Sequence, residues 1–404
     1  MIVKDTRRRS SMSEGGIFSF QRNRPSLTTR ALVADFFPGY FAFVMATGIV
    51  SIALRAVGIF YLLSNLLFGL NIFSFFVLWV ITILRLGLYR ASFVQDLTHN
   101  GRGVTFLSTV AGTCVLGTQI AIMTPFLTTA AMLWAFAGLV WLVLIYLFFA
   151  SITVAQQKPA WATTINGSWL LVTVSIESLA VLGTYVATGK YLKFILFSSV
   201  CAYSLGAMFY ILFITLILYR WMFAEIRPAG FGPNEWIDMG AAAITTLAGA
   251  RLLMLDNRWS FLGELSPFIR GFTLVFWVTG TWWIPLLIIL GIWRHRETRV
   301  VIAYSPEYWT LVSPRDVYGC HRCLGQGDRP RDVGHRSSNH ALRRFVCVGS
   351  DVRWHVASNS QVVDPTWVSL RTVSFSRALC LTRALFDRRL VAQFPFEPCG
   401  VRHT

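Results

Sequence analysis

AMLWAFAGLVWLVLIYLFFA, residues 131–150, is followed by NGSWLLVTVSIESLAVLGTYV, residues 166–186, and the contrast between these two runs decides the fold. The first is apolar around most of its circumference and long enough to cross a hydrocarbon core about 30 Å thick. The second is as long, but at about 100° per residue Asn166, Thr173, Glu177 and Thr184 fall within about 40° of one another. A polar stripe cannot face lipid cheaply. The pair therefore reads as an outer helix that screens and an inner helix that is screened.

The alternation continues along the chain. Apolar runs fall at 37–57, 60–84, 103–124, 129–153, 162–186, 194–219, 236–255 and 269–292, and a ninth begins near Tyr304 and is cut short. A chain that is 55% hydrophobic and 14% charged is too apolar for a soluble domain. Polar stripes mark the other odd spans too. The first carries Tyr40, Thr47 and Ser51, with Gly48 interrupting it; the third carries Thr105, Thr109, Gly112 and Gln119; the seventh carries Asp238, Ala242, Thr245 and Gly249. Short connections make consecutive spans antiparallel neighbours. The expected fold class is an all-α polytopic membrane protein, a helical-hairpin bundle around a central pore, with eight complete spans plus a truncated ninth. Odd spans would line the pore and even spans would face lipid. For any single Thr or Gly the competing reading is that small and hydroxyl residues let helices pack closely.

A formal charge of +17 could suggest nucleic acid, but the Arg residues before Ser313 lie mainly in an N-terminal tail and in loops, where they set orientation. A cytoplasmic N-terminus puts Arg85, Arg90, Arg102, Lys158, Arg220, Arg227, Arg294, Arg296 and Arg299 inside, against Arg55, Lys190, Lys193 and Arg258 outside. The expectation is a multi-pass protein of the cell (plasma) membrane, cytoplasmic at its N-terminus, with no nucleic-acid partner. Residues 1–35, with Arg7, Arg8 and Arg9, read as a basic cytoplasmic tail that either only fixes topology or touches anionic headgroups. No short apolar region with a cleavage site precedes the first span, which reads as a retained signal anchor. Cys114 and Cys201 lie in spans and the other five Cys follow Val312, so no disulfide framework is expected.

Glu177 is the sharpest single candidate, because a carboxylate deep in a span must be protonated, paired or facing water. It reads either as a gating or proton-coupling group, or as a neutral acid hydrogen-bonded to a neighbouring helix. Asp238, near the start of the seventh span, on the simpler reading complements the helix dipole. Pro38 and Gly39 open the first span and Pro285 sits inside the eighth; opened turns there would free amides to meet a passing anion. The membrane part has no nucleotide loop, no catalytic triad order and no metal-ligand motif. Neither an enzyme nor a cofactor or metal is expected.

Four stretches carry a resemblance: FFPGYFAFVMATGIVSIAL at 36–54, EWIDMGAAAITTLAG at 235–249, GFTLVFWVTGTWWIPLLIILGIWR at 271–294 and YSPEYWTLV at 304–312. In this order they resemble the tellurite-resistance/dicarboxylate transporter family, which includes bacterial tellurite-resistance proteins, fungal malate permeases, sulfite exporters and plant slow anion channels. The resemblance covers about residues 36–312. It implies ten helices in five hairpins, odd helices lining an anion pore, and often a homotrimer. It also implies a Phe in the ninth helix that plugs the pore of channel members, in a Phe-Pro-Leu-Gly stretch after the Trp that here is Trp309. This chain has Ser313-Pro314-Arg315-Asp316 instead, so the expected gate is absent at Ser313.

From Ser313 to Thr404 there are fourteen Arg and no Lys, with five of the seven Cys and five of the seven His, a composition that fits neither a membrane helix nor a cytoplasmic domain. Codons for Val312 through Leu324 can be chosen so that a one-base forward shift encodes an apolar stretch beginning Phe-Pro-Leu-Gly. Residues 313–404 are therefore expected to be an aberrant, frameshifted and poorly ordered segment after a transporter domain at 36–312. Cys320, Cys323, His335 and His340 imitate a zinc finger, but their loop is one residue short and follows an unfinished span. The expected function is transmembrane transport of small anions, C4-dicarboxylates such as malate or else tellurite or sulfite, with the anion and the lipid bilayer as partners. The alternatives are a transport-incompetent remnant that has lost helices nine and ten, and a membrane anchor for an Arg-rich binding tail.

Overall fold

Among the described residues of the computed structural model every regular element is a helix, as membrane-length apolar runs require. The described residues are 33–58, 60–99, 101–156, 164–226 and 228–298, all within the first of two units of the chain, Met1–Arg343. The basic tail up to Leu32, Lys158, Arg227, Arg299, the ninth span from Tyr304, the Ser313 position and the segment 313–404 lie outside them. Helix α1 covers Phe41–Val57, α2 Tyr61–Leu88, α3 Arg90–Thr98, α4 Leu107–Met123, α5 Leu127–Val154, α6 Leu171–Val186, α7 Leu192–Phe223, α8 Ile237–Leu253 and α9 Ser260–Thr298. Seven of the described spans are long and apolar enough to cross a membrane; they contain α1, α2, α4, α5, α6, α7 and α9. Helix α8 occupies the place of the span expected at 236–255, but Asp238 and Arg251 leave it less apolar. Helix α9 begins well before the apolar run at 269–292, because SFLGELSPFIRG continues the same helix through Pro267.

These helices form two layers. Helices α1, α4, α6 and α8 pack on one another in chain order as an inner arc, and α2, α5, α7 and α9 each pack back on the inner helix before them. Helices α2, α5 and α7 also reach the next inner helix, so each covers a groove between two inner ones. The burial of each span's most apolar stretch follows from this. It reaches 78% in α4 and 89% in α6 but 33% in α1, which has an inner neighbour on one side only, against 6% in α2, 22% in α5 and α9, and 44% in α7, which covers the groove between α6 and α8. Small residues make the inner helices thin enough to be enclosed, while Leu and Phe give the outer ones a lipid-facing surface.

Each inner helix is entered through a 3-10 turn: Pro38–Tyr40, Gly103–Phe106, Gly167–Leu170 and Pro233–Trp236. The turns begin 65, 64 and 66 residues apart, so one inner–outer hairpin is repeated four times. The sequences PGY, GVTF, GSWL and PNEW share little, yet several solve the same problem of a helix start. Pro38 and Pro233 have no N–H to leave unsatisfied, and Phe37 and Gly232 before them are extended. Asn166 caps its turn by accepting a hydrogen bond from the Ser168 amide at 3.0 Å. Successive turns touch, so the four inner helices run parallel with their N-termini gathered on one face.

That gathering is close. A Cβ on Gly167 would overlap the Asn234 carbonyl and the Glu235 backbone, so the entries of α6 and α8 meet main chain to main chain. Gly167→Ala should destabilise the protein by about 1–3 kcal/mol, as overpacking does, and lower its thermal midpoint in detergent. Gly138→Ala on α5, where a Cβ meets nothing within 4 Å, should instead gain about 0.5–1 kcal/mol of helix stability.

Candidate functional site

The entry face is stitched by buried ion pairs. Glu235, in the turn before α8, accepts from the Arg220 guanidinium at 3.2 Å and from the Gly167 amide at 3.1 Å. One carboxylate thereby ties the end of α7 to the starts of α6 and α8. Asn234 adds a bond to the Ser168 hydroxyl at 3.2 Å. At the first two hairpins Arg85 takes the equivalent place: it pairs with Asp96 of α3 and donates to the Ala34 and Phe36 carbonyls. Arg102 joins Asp96 at 2.9 Å, and the Ser108 hydroxyl donates to the Pro38 carbonyl at 3.0 Å. Arg85 and Arg220, which count toward orientation in the sequence, are also structural anchors.

The stripes on the odd spans meet definite neighbours. On α1, Gly48 lies against Asn71 of α2 and against Val115 and Gln119 of α4; Asn71 donates to the Gln119 side chain. Ser51 and Ser64 of α2 exchange hydroxyl-to-carbonyl bonds at 2.9 and 2.8 Å. Tyr40 stacks on Phe36, Thr47 is buried, and Gly112 faces Phe41 and Val44. Most hydroxyls bond within their own helix or turn: Thr105 to the Arg102 carbonyl, Thr109 to Phe106, Thr184 to Val181 and Thr245 to Ala241, while Ala242 accepts from Thr246. Such back-bonding satisfies a hydroxyl without water. The Thr173 hydroxyl is buried without a hydrogen-bond partner among the described residues.

The two carboxylates lie between layers. Glu177 is wholly buried, and a Cβ on Gly206 of α7 would overlap its carboxylate, so Gly206 makes the room it occupies. The Thr245 hydroxyl lies beside it but is committed to the Ala241 carbonyl. Asp238 sits against α7, where the Tyr210 hydroxyl donates to its backbone carbonyl at 3.3 Å. Neither carboxylate has a hydrogen-bond donor among the described residues in bonding geometry. Gly249 admits Tyr203 of α7 and Thr273 of α9, which bond each other at 3.0 Å.

What remains of the inner helices is the concave side of the arc. Helix α6 meets α4 through Leu182, α5 through Gly183 and the Leu179 carbonyl, α7 through Gly183 and Glu177, and α8 through Glu177 and Thr184. At about 100° per residue the sector left between the α4 and α8 contacts holds Leu171, Val174, Ser178 and Val181, all buried, and the half-buried Tyr185. On α8 the face opposite Asp238, Thr245 and Gly249 holds Gly240, Ile244, Leu247 and Arg251, the last three half-buried. Arg251 stands out there. Its guanidinium lies 3.8 Å from the Tyr185 ring centre and its Nε donates to the Thr184 hydroxyl at 3.3 Å. The sequence offers a signal for Gly206, a lone glycine in an apolar run. It offers none for the Arg251–Tyr185 pair, which lie on different spans.

A family model described as SLAC1, voltage-dependent anion channel, matches residues 35–319. An uncharacterised membrane protein of Mycobacterium tuberculosis, in strains CDC 1551 and H37Rv, is 38% identical over 106 residues, which are 26% of this chain and 53% of the relative. The chain thus spans about half the length of these two relatives. Two uncharacterised transporters of Methanocaldococcus jannaschii are 24% identical over 305 residues and 22% identical over 299. Those alignments cover 72% and 71% of this chain and 84% and 82% of the transporters.

Glu235→Gln should remove the buried Arg220–Glu235 ion pair and cost up to about 3–5 kcal/mol, read as loss of folded protein in detergent. Adding Arg220→Met should recover part of that loss, since the carboxamide introduced in place of Glu235 would still accept from the Gly167 amide. No recovery would show that the pair does not act as a unit.

Proposed function

Because the chain belongs to the SLAC1 voltage-dependent anion channel family, we propose that it moves small anions across a membrane along the concave side of its inner arc. The observation that carries this reading is the set of four parallel inner helices whose N-termini gather on one face. Each terminus carries about half a positive charge, although at the start of α6 the Gly167 and Ser168 amides are already bonded to Glu235 and Asn166. Anions are drawn to that face without a tight fixed site. Farther in, Val174, Ser178 and Val181 on α6 and Ile244 and Leu247 on α8 offer little to hold an ion. Weak interior binding is what rapid exit requires. The protein acts as a channel or transporter rather than as an enzyme.

C4-dicarboxylates such as malate are the proposed substrate class, with sulfite, tellurite and chloride as the anions to compare. Tyr40, Thr47, Thr105 and Thr109 are proposed to contribute to the path, and the glycines of the stripes to set the helix spacing that gives it its width. Glu177, one layer behind the wall, is proposed as the gating or proton-coupling group, acting through the packing of α6 on α7. The working form is a homotrimer in the plasma membrane with the entry face cytoplasmic, a reading supported by Arg85, Arg90, Arg102, Arg220, Arg294 and Arg296 at that end. For residues 313–404 we propose a shifted reading frame, supported by their composition and by a family match that ends at residue 319. Coding DNA and transcript across Leu311–Arg315 should show the displaced frame; an intact frame in both would contradict it.

Vesicles reconstituted with the purified chain, and with a version whose frame is restored, should release at least one of malate, chloride, sulfite or tellurite faster than protein-free vesicles. No flux from either version would refute transport; flux only from the restored one would identify the present chain as a remnant. Val174→Trp should cut the flux by at least about tenfold at unchanged protein level by narrowing the passage. Unchanged flux would place the path elsewhere.

A further inference from the structure

The face opposite the entries poses an electrostatic problem. Four parallel inner helices end there, and their C-termini carry about half a negative charge each. An anion leaving or arriving on that side meets a repulsive field unless a cation offsets it. Two inner helices carry a basic residue in their last turn, Arg55 on α1 and Arg251 on α8. Arg55 lies 5.1 Å from the ring centre of Tyr61 on the outer helix α2, on the lipid side of the arc. Arg251 instead lies on the concave sector of α8, against Tyr185 on the concave sector of α6.

The guanidinium is held in place. Its face rests on Tyr185, its Nε is bound to Thr184, and its Nη1 lies 3.7 Å from the Met254 sulfur. Stacking and a single hydroxyl fix the group but leave its charge uncancelled, because among the described residues no carboxylate lies within ion-pair distance of it. The N–H edge at Nη2 stays available, in the fork geometry that suits carboxylate and oxyanions. Being half-buried, the charge acts through a lower dielectric than a fully solvated one.

Resting on the transport reading, we propose that Arg251, positioned by Tyr185 and Thr184, is an anion-recruiting site at the mouth opposite the helix entries. It raises the local concentration of the transported oxyanion where the helix dipoles would deplete it. A plain helix-end role, complementing only the α8 dipole, is the alternative; it changes helix stability and the amount of folded protein but not the flux per folded protein or the dependence of that flux on ionic strength.

The test uses the full chain in vesicles, its seven native cysteines replaced by serine, with Arg251→Cys and membrane-impermeant methanethiosulfonate reagents carrying either a trimethylammonium or a sulfonate group. At low salt and subsaturating anion the substitution should lower flux on the order of tenfold, as loss of electrostatic steering does. The cationic reagent should restore at least about half of it and the sulfonate none, and the gap should close at high ionic strength. Equal effects of the two reagents, or no loss on substitution, would overturn the proposal while leaving transport intact. Absence of anion flux in the unsubstituted chain would instead defeat the transport reading itself and this site with it. If Arg251→Cys does not accumulate, Arg251→Lys and Arg251→Gln decide: flux retained in the first and lost in the second supports recruitment, and equal loss overturns it.

Discussion

One buried carboxylate, Glu235, meets the end of α7 through Arg220 and the start of α6 through the Gly167 amide. On that three-way contact the parallel setting of the inner helices depends. Parallel helices bring like dipole ends together, which is unfavourable unless charge of opposite sign lies among them. Glu235 and Asp96 supply it at the amide ends, and Arg220, Arg85 and Arg102 keep those acids from being buried as isolated ions. With the starts fixed, the apolar runs have little choice but to return as outer helices over the grooves.

Between the layers the fold is governed by close approach. Gly48, Gly206 and Gly249 each admit a polar neighbour from a facing helix, so that Asn71 reaches Gln119, Glu177 fits against α7, and Tyr203 reaches Thr273. These contacts replace the hydrophobic drive that soluble bundles enjoy, since lipid tails are as apolar as leucine. They also divide the labour of the inner helices: one side holds the outer layer, and the other faces the concave side of the arc, where the passage is proposed.

Much of this is readable in the chain. The spans, the two layers and the hairpin order follow from hydropathy and from which spans carry hydroxyl and acidic stripes. The fourfold hairpin repeat is not, because it lives in backbone geometry: PGY, GVTF, GSWL and PNEW share a 3-10 turn but no residue pattern. Periodicity also finds a polar face without saying whom it meets. Asn166, aligned with the stripe of the fifth span, serves as a cap, and Glu177 on the same stripe faces Gly206 of α7. The sector that faces the concave side is mostly aliphatic, so no polar signal marks it. Arg251 reads along the sequence as an ordinary last-turn cation, and only the packing of α6 beside α8 gives it Tyr185.

An arc of parallel helices whose concave sectors on α6 and α8 are mostly aliphatic, with Arg251 held against Tyr185 near the helix ends, suits the passage of small anions proposed for it. Its central requirement is that water reaches the concave sector and not the seams. Single cysteines at Val174, Val181 and Leu247 and at Ala180, Thr245 and Ala242, in a chain whose seven native cysteines are replaced by serine, labelled in sealed vesicles with a small impermeant thiol reagent, measure this directly. The first three should react and the second three should stay protected; the reverse pattern, or protection of all six, would contradict a passage along the arc.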